Sequence, residues 1–266
     1  MQNNKNLKII ILRRNRLDEA GTKEFTDCIK SSELEEIDLG SNFANDNGIS
    51  YFSKFFATNH HITKLVLSDN RLGNDAIEFL SQAIKTQKSL TFLDLSDNQI
   101  GCNGMKFFSE ALKDHNCLTD LNLAFNRIKK DGAFNLCSAL TKNRSLKRLN
   151  LRCNQIEKGA DYFAQMLRNN HFLKFLDIAH NTIDRIDKHA FVSIFQANRS
   201  ITQLNMELNH FHDKTFFETI NSFLDKNKNI PKLIKQTLLI LRNRRDNLFS
   251  MIPRRLLFYL FQFFDY

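Results

Sequence analysis

The sequence predicts an α/β fold, a horseshoe-shaped solenoid in which strand–helix units of 27 or 28 residues stack side by side. One observation is a motif, L-x-x-L-x-L-x-x-N-x-L, that recurs eight times along the chain. Another is that each copy is followed by apolar residues at helical spacing. Because one unit cannot bury its apolar face alone, we expect the units to stack with parallel strands inside the curve and helices outside.

Each copy of the motif is expected to open with a short strand. The copies begin at Leu7, Leu34, Ile62, Leu90, Leu118, Leu146, Leu173 and Ile201. We count repeat positions from these residues and name each repeat by its first residue. Positions 4 and 6 are apolar and alternate with outward-facing residues, as a short strand with one buried face requires.

Position 9 is asparagine in every copy of the motif. These residues are Asn15, Asn42, Asn70, Asn98, Asn126, Asn154, Asn181 and Asn209. Backbone groups at the end of a stacked strand need partners, and an inward-facing amide can both donate to them and accept from them. The asparagines therefore indicate a structural ladder along the stack and not a catalytic site.

The helix of each repeat is predicted from the segment after the asparagine. In the Leu90 repeat, for example, Met105, Phe108 and Leu112 recur at helical spacing. Glycine recurs just before the predicted helix in four repeats. These residues are Gly21, Gly48, Gly104 and Gly132. A tight turn or a close backbone approach at this position would favour glycine.

The 28-residue period and the glycine-led helix pattern resemble the ribonuclease-inhibitor-like class of leucine-rich repeats. The resemblance covers residues 7–229. It implies a scaffold that binds other proteins, and it is nearly silent about which ones. We therefore divide the chain into a solenoid, residues 1–229, and a C-terminal helical subdomain, residues 230–266.

A repeat protein of this kind would bind a partner through positions 3, 5, 7 and 8, which face the concave surface. The fold does not require aromatic residues on a solvated strand, whereas buried aromatics and arginines supply much of the binding energy in interfaces. We therefore predict a protein-binding site on this surface. Its candidate residues are Phe92, Asp94, Phe125, Arg148, Arg152, Phe175, Asp177 and His180. The alternative is neutral variation on an exposed strand.

The segment after Asn229 departs from the repeat pattern. Pro231 and Pro253 can each occupy the first turn of a helix, which predicts two helices joined near residues 246–251. Three roles remain open for these helices. They could cap the exposed end of the solenoid, lie on a membrane surface, or dock another protein.

The docking role rests on a resemblance to the SOCS box. Residues 232–241, KLIKQTLLIL, resemble the elongin-C-binding box, with Leu233 and Leu241 matching and Thr237 standing in place of cysteine. Residues 252–260, IPRRLLFYL, resemble the second part of that box. The matching residues there are Pro253, Arg255, Leu256, Tyr259 and Leu260. The resemblance implies recruitment of elongin B/C and a cullin ubiquitin ligase.

Composition and motifs limit which other classes of function the chain could have. The five cysteines include no C-x-x-C pair, phosphate-binding glycine motifs are missing, and His210 and His212 lack further metal ligands in the sequence. We expect a non-enzymatic, cytoplasmic monomer without cofactor, metal or nucleic acid partner. The net charge of +9 is concentrated in the tail. The Asn-, Lys- and Ile-rich composition indicates an AT-rich genome, and together with the eukaryotic-type scaffold it leads us to expect an effector of an intracellular bacterium that acts in host cytoplasm.

Overall fold

The computed structural model describes residues 6–183, 188–210 and 213–243, with side chains as far as residue 231. Within these ranges strands and helices alternate along the chain. The strands are β1 Ile9–Ile11, β2 Glu36–Asp38, β3 Lys64–Val66, β4 Phe92–Asp94, β5 Asp120–Asn122, β6 Arg148–Asn150, β7 Phe175–Asp177 and β8 Gln203–Asn205. The helices are α1 Glu19–Ile29, α2 Asn45–Thr58, α3 Asn74–Thr86, α4 Cys102–Asp114, α5 Lys129–Leu140, α6 Ala160–Asn169, α7 Lys188–Ala197 and α8 Lys214–Asn243.

The strands form one parallel sheet in the order of the sequence, from β1 to β8. Residues at the same repeat position pair across each step, so that Leu93 of β4 lies opposite Leu121 of β5. Each helix packs against the next one along the chain. The predicted α/β repeat of strand–helix units around a parallel sheet is therefore confirmed.

One hydrophobic core runs between the sheet and the helices. Positions 4 and 6 supply its sheet side, as Leu93 and Leu95 show by being fully buried. The helices supply the other side through residues such as Met105, Phe108 and Leu112, which are also fully buried. Burying one aliphatic or aromatic side chain contributes about 1.5–3 kcal/mol, so each repeat gains its stability from its neighbours.

The predicted asparagine ladder is present along the strand ends. The Asn126 amide nitrogen donates to the carbonyls of Leu95 and Leu123 at 3.0 Å each, and its oxygen accepts from the Ile100 backbone amide at 3.0 Å. The same pattern recurs in the other inner repeats. Asn15, at the start of the stack, is exposed and donates to the Arg13 carbonyl at 3.1 Å.

A second polar ladder, which the sequence analysis did not predict, runs along the opposite edge of the stack. Its members lie three residues before the first residue of the next motif. They are Asn59, Gln87, His115, Asn143, Asn170, Asn198 and Asn227. Asn143 is typical, because its amide donates to the carbonyls of Leu112 and His115 and accepts from the Leu146 backbone amide at 2.9 Å. The column is readable in the sequence once the repeats are aligned.

The recurring glycines lie inside the first turn of their helices and not before them. No glycine among the described residues has a positive φ, so turn conformation does not explain them. A Cβ atom on Gly104 would lie 2.9 Å from Asn74 Oδ1 and 3.2 Å from Asn74 Cα. Close approach of neighbouring helices is the reason for glycine at this position.

The last described helix differs from the prediction that a helix begins at Pro231. Helix α8 begins at Lys214 and continues through Pro231 to Asn243. A proline inside a helix removes one backbone hydrogen bond and clashes with the preceding turn, so sequence rules favour a break there. Here the helix of the Ile201 repeat and the predicted tail helix are one element, and residues 229–230 lie inside it.

Candidate functional site

The outward side of the sheet, which we call the sheet face, consists of repeat positions 3, 5, 7 and 8. Position 3 shows an order that the sequence analysis did not recognise. Its residues from β2 to β7 are Glu36, Lys64, Phe92, Asp120, Arg148 and Phe175. A carboxylate, a cation and a phenylalanine thus follow one another twice across six adjacent strands.

Each cation in this row contacts both of its neighbours. Arg148 Nε lies 3.1 Å from Asp120 Oδ1, and its guanidinium carbon lies 4.4 Å from the centre of the Phe175 ring. Lys64 Nζ lies 3.2 Å from Glu36 Oε2 and 5.8 Å from the centre of the Phe92 ring. The register of the parallel strands produces these contacts, because position 3 of one strand lies directly beside position 3 of the next.

Phe125 is the most exposed aromatic of the predicted site, with 49% of its surface accessible. It occupies position 8, where the backbone is left-handed in every described repeat, and its φ is 56°. Its backbone amide donates to the Arg152 carbonyl at 2.8 Å, which continues the ladder beyond the strands. A bulky residue at positive φ is energetically unfavourable, and exposure of its ring gives no compensating burial.

The carboxylates of the predicted site are bound to the backbone. Asp94 accepts from the Ser96 amide at 2.9 Å and from the Ser96 hydroxyl at 2.6 Å. Asp177 accepts from the Ala179 amide at 2.9 Å and from the Asn205 amide nitrogen at 3.1 Å. Aspartate or asparagine at position 5 closes the same turn in other repeats, which explains these residues structurally.

The structure places the other predicted face residues on the same surface. Arg152 and His180 are partly buried at positions 7 and 8 of the two adjacent repeats that follow Phe125. Phe92 and Phe175 are also partly buried. At about 4.8 Å per strand, the repeats that carry Phe92 and Phe175 are separated by roughly 14 Å along the sheet. The aromatic and arginine residues of the site therefore lie on one face of four adjacent repeats.

The predicted docking segment is only partly within the described residues. Leu233, Thr237 and Leu241 belong to α8 and are four residues apart, so their Cα positions fall on one side of that helix. The other predicted docking residues lie outside the described residues. These are Pro253, Arg255, Leu256, Tyr259 and Leu260.

The helices carry a second set of exposed aromatic residues, which the sequence analysis missed. Tyr51, Phe79, Phe107 and Phe134 are between 36% and 50% exposed and lie on α2, α3, α4 and α5. The first three are 28 residues apart, so alignment of the helices as well as the strands would have revealed them. We call this set the helix aromatics.

The described side chains suggest no reactive centre. In the described ranges, no three His, Cys, Asp or Glu residues gather where they could hold a metal ion. All five cysteines are free, and burial raises the pKa of the Cys137 thiol, which keeps it protonated. No helix in these ranges is long and apolar enough to cross a membrane.

A family model described as "Leucine Rich repeat" matches five segments of the chain, residues 58–81, 86–109, 114–137, 142–159 and 169–184. These segments are leucine-rich repeats. The matches include all strands from β3 to β7 and the first parts of helices α3, α4 and α5. Leucine-rich repeats are protein-interaction scaffolds, and their stacked strands create an extended binding surface.

Comparison with solved structures finds the leiomodin-1 actin-binding site 2, at 15% sequence identity and a TM-score of 0.38. The match covers 83% of this chain and 94% of that one. No curated protein matches the chain in sequence.

Proposed function

We propose that this chain is a non-enzymatic protein-interaction adaptor whose sheet face binds a target protein. The observation that supports this proposal is an exposed Phe125 and a stacked Arg148–Phe175 pair on the same face of three successive repeats. Aromatic and arginine side chains are the residues most enriched where binding energy concentrates in interfaces. The left-handed backbone at position 8 belongs to the repeat, but the fold does not require a bulky, exposed aromatic ring there, which Phe125 supplies.

The electrostatics of this face also suit a protein partner. Arg148 is held by Asp120 and stacked on Phe175, so its planar guanidinium is oriented before any partner arrives. An ordered side chain loses less conformational entropy on binding than a mobile one. The flanking Asp94 and Asp177 keep the turns closed and so fix the strand ends that carry these residues.

The sheet-face proposal is tested with the triple variant Phe92→Ala, Phe125→Ala, Phe175→Ala. Proteins captured by the wild-type chain from cell extract are compared with those captured by the variant, using quantitative mass spectrometry. We expect at least a ten-fold loss of a specific partner, since truncating central aromatics typically costs about 2 kcal/mol or more each.

The matched control removes three exposed phenylalanines from the helix aromatics, Phe79→Ala, Phe107→Ala, Phe134→Ala. It should retain the partner, provided that both variants show the wild-type circular dichroism spectrum. A captured set that is the same for all three proteins would overturn the role of the sheet face.

The second half of the proposal concerns the tail. We infer from its SOCS-box resemblance that residues 231–266 recruit elongin B/C and a cullin ubiquitin ligase to the bound target. In support, Leu233, Thr237 and Leu241 fall on one side of a continuous helix, as residues of a docking helix must. The alternatives are a tail that only caps the solenoid or that attaches it to a membrane surface. An effector role in host cytoplasm stays a prediction.

Capture of purified elongin B/C tests the tail. The variants Leu233→Arg and Tyr259→Ala are expected to lose at least ten-fold in affinity, because each removes a residue that the resemblance assigns to docking. Leu239→Arg introduces the same charge on another side of the helix and should bind as wild type. Absence of binding by the wild-type chain would end the ligase proposal and leave the sheet-face proposal intact.

A further inference from the structure

A positively charged cleft of about 380 Å³ opens at the edge of the stack where strands begin and helices end. Four cations line it together with a single carboxylate, that of Asp114. The cations are Lys113, Lys142, Arg144 and Lys147. A lysine in the last turn of a helix stabilises the helix dipole, which accounts for Lys113 of α4. It does not account for Lys142, Arg144 and Lys147, which follow the end of α5 at Leu140.

Repeat position 2 shows why Lys147 is unusual. In four other repeats this position is threonine, and its hydroxyl donates to the position-2 carbonyl of the preceding repeat at 3.0–3.2 Å. The threonines form a ladder along this edge of the sheet. In the Leu146 and Leu173 repeats the ladder is interrupted, because Lys147 and Lys174 occupy the position in succession.

The two lysines stand side by side on adjacent strands. The Lys174 backbone amide donates to the Lys147 carbonyl at 2.7 Å. Like charges on neighbouring strands destabilise a sheet, and this pair also replaces two side-chain hydrogen bonds that threonine would make. Desolvation, and after it the charge of Lys147, lower the pKa of Lys174. A local rule broken in two successive repeats is typical of a functional site.

Phe172 helps to hold the cations at the cleft. The Arg144 guanidinium carbon lies 6.0 Å and Lys147 Nζ lies 5.3 Å from the centre of its ring. Cation–π contacts of this kind attract a positive group to the face of an aromatic ring. They keep two positive groups close together although their mutual repulsion would separate them.

We propose that this basic cleft, lined by Lys113, Lys142, Arg144 and Lys147 and with Lys174 beside Lys147 on the next strand, binds an acidic segment of a partner protein, a short run of aspartate and glutamate. Charge complementarity is the argument, since the like-charged lysines gain most from carboxylates placed between them. The cleft lies at the edge of the sheet and does not include the residues of the sheet face. The proposal therefore stands independently of the target-binding role.

A protein segment fits the cleft better than a nucleic acid does. Proteins that bind single-stranded nucleic acid present an uncovered aromatic ring on which a base can stack. The ring of Phe172 is instead covered by two cations. Asp114 lines the cleft, and Glu110, which is not part of the lining, pairs with Lys113 through Oε1 at 3.1 Å from Nζ. A volume of about 380 Å³ is enough for a few carboxylate side chains of a peptide.

The test measures binding of a fluorescent octapeptide of glutamate by anisotropy, with an octapeptide of glutamine for comparison. The wild-type chain should bind the glutamate peptide at least ten-fold more tightly, and the affinity should fall with added salt. The double variant Lys147→Thr, Lys174→Thr restores the threonine ladder and should lose at least ten-fold in affinity. Lys8→Thr makes the same change at position 2 of the Leu7 repeat and should bind as wild type.

Thermal unfolding gives a second readout. If the lysine pair serves binding, the double threonine variant should melt at or above the wild-type temperature. If that variant fails to fold, Lys142→Gln with Arg144→Gln should still weaken binding ten-fold. Wild-type affinity in either folded variant would overturn the proposal. Tighter binding of single-stranded DNA or of anionic vesicles than of the glutamate peptide, lost in the same variants, would also overturn it.

Discussion

His115 occupies a position that is asparagine in five other described repeats. Its Nδ1 accepts from the Leu118 amide at 3.1 Å, as an asparagine oxygen does elsewhere in the ladder. Its Nε2 is buried, and within the described residues it makes no bond of hydrogen-bond geometry. An asparagine amide would donate there to two carbonyls of the preceding repeat. The imidazole therefore supplies the hydrogen-bond acceptor of this ladder position but not the two donated hydrogen bonds.

We expect His115→Asn to stabilise the protein by about 1 kcal/mol at pH 7.5, the net value of one buried hydrogen bond. Burial lowers the pKa of His115 in the folded state. The unfolded chain then binds more protons below about pH 6.5, so wild-type stability falls as the pH drops through that value. Urea denaturation at pH 7.5 and 5.5 should show a smaller pH effect in the variant.

His61→Asn is the control for this prediction, because His61 is exposed and its side chain lies outside the ladder. Its effect on the free energy of unfolding should stay within about 0.5 kcal/mol. A less stable His115→Asn protein, or one that keeps the full pH dependence, would contradict the prediction.

The sequence predicted which residues lie on the sheet face, but it did not predict the contacts between them. Alternation along a strand placed Phe92, Arg148 and Phe175 on the outward side, because a strand has a period of two. It could not show that Arg148 stacks on Phe175, since that contact depends on rotamers and on the register between repeats. Nor did it reveal the left-handed backbone of position 8, where residues as different as Phe125 and Asp97 share one conformation.

At the scale of the elements, the stacking of helices depends on glycine in their first turn. Gly104 of α4 approaches Asn74 of α3, whose Oδ1 accepts from the backbone amides of Gly101 and Gly104 at 2.9 Å each. This side chain satisfies two of the amide groups that a helix leaves unpaired at its start. A methyl group at position 104 would press on the oxygen that makes both bonds.

Gly104→Ala is accordingly expected to destabilise the protein by about 1–3 kcal/mol, in spite of alanine's higher helix propensity. Gly21→Ala is the matched control, since Gly21 holds the same repeat position in α1, where no described helix precedes it. The nearest atom to its added Cβ is Leu17 Cδ2 at 3.2 Å, the far end of a flexible side chain. Thermal melts should show a neutral or stabilising effect for Gly21→Ala, and equal losses for both variants would contradict this account.

Helix α8 shows where repeat-based prediction reaches its limit. Asn227 keeps the ladder position, and its amide donates to the carbonyls of Asn198 and Ile201. Its buried oxygen has no partner among the described residues, because the backbone amides that such an oxygen binds elsewhere belong here to a continuing helix. The sequence of the last repeat thus keeps the ladder asparagine, but the chain after Asn227 continues as a helix. The repeat pattern alone therefore does not predict the structure at this end of the stack.

At the scale of the whole molecule, the stack transmits stability from neighbour to neighbour, so a defect should cost more at its centre than at its end. Asn126 and Asn15 hold the same repeat position and differ in surroundings. Asn126 is 4% exposed and bonded to two repeats, whereas Asn15 is exposed and bonded to its own turn.

Asn126→Ala leaves the buried Ile100 amide without its partner, at about 1–3 kcal/mol for the unsatisfied group. It also removes one of two side-chain hydrogen bonds from the carbonyls of Leu95 and Leu123, which keep those from Asn98 and Asn154, at about 0.5–1.5 kcal/mol each. We expect a loss of roughly 3 kcal/mol or more, against less than about 1 kcal/mol for Asn15→Ala. A central defect also weakens the coupling between the two halves, so the urea transition of Asn126→Ala should broaden or separate into two steps. Equal losses with equally sharp transitions would show that stability is not passed along the stack.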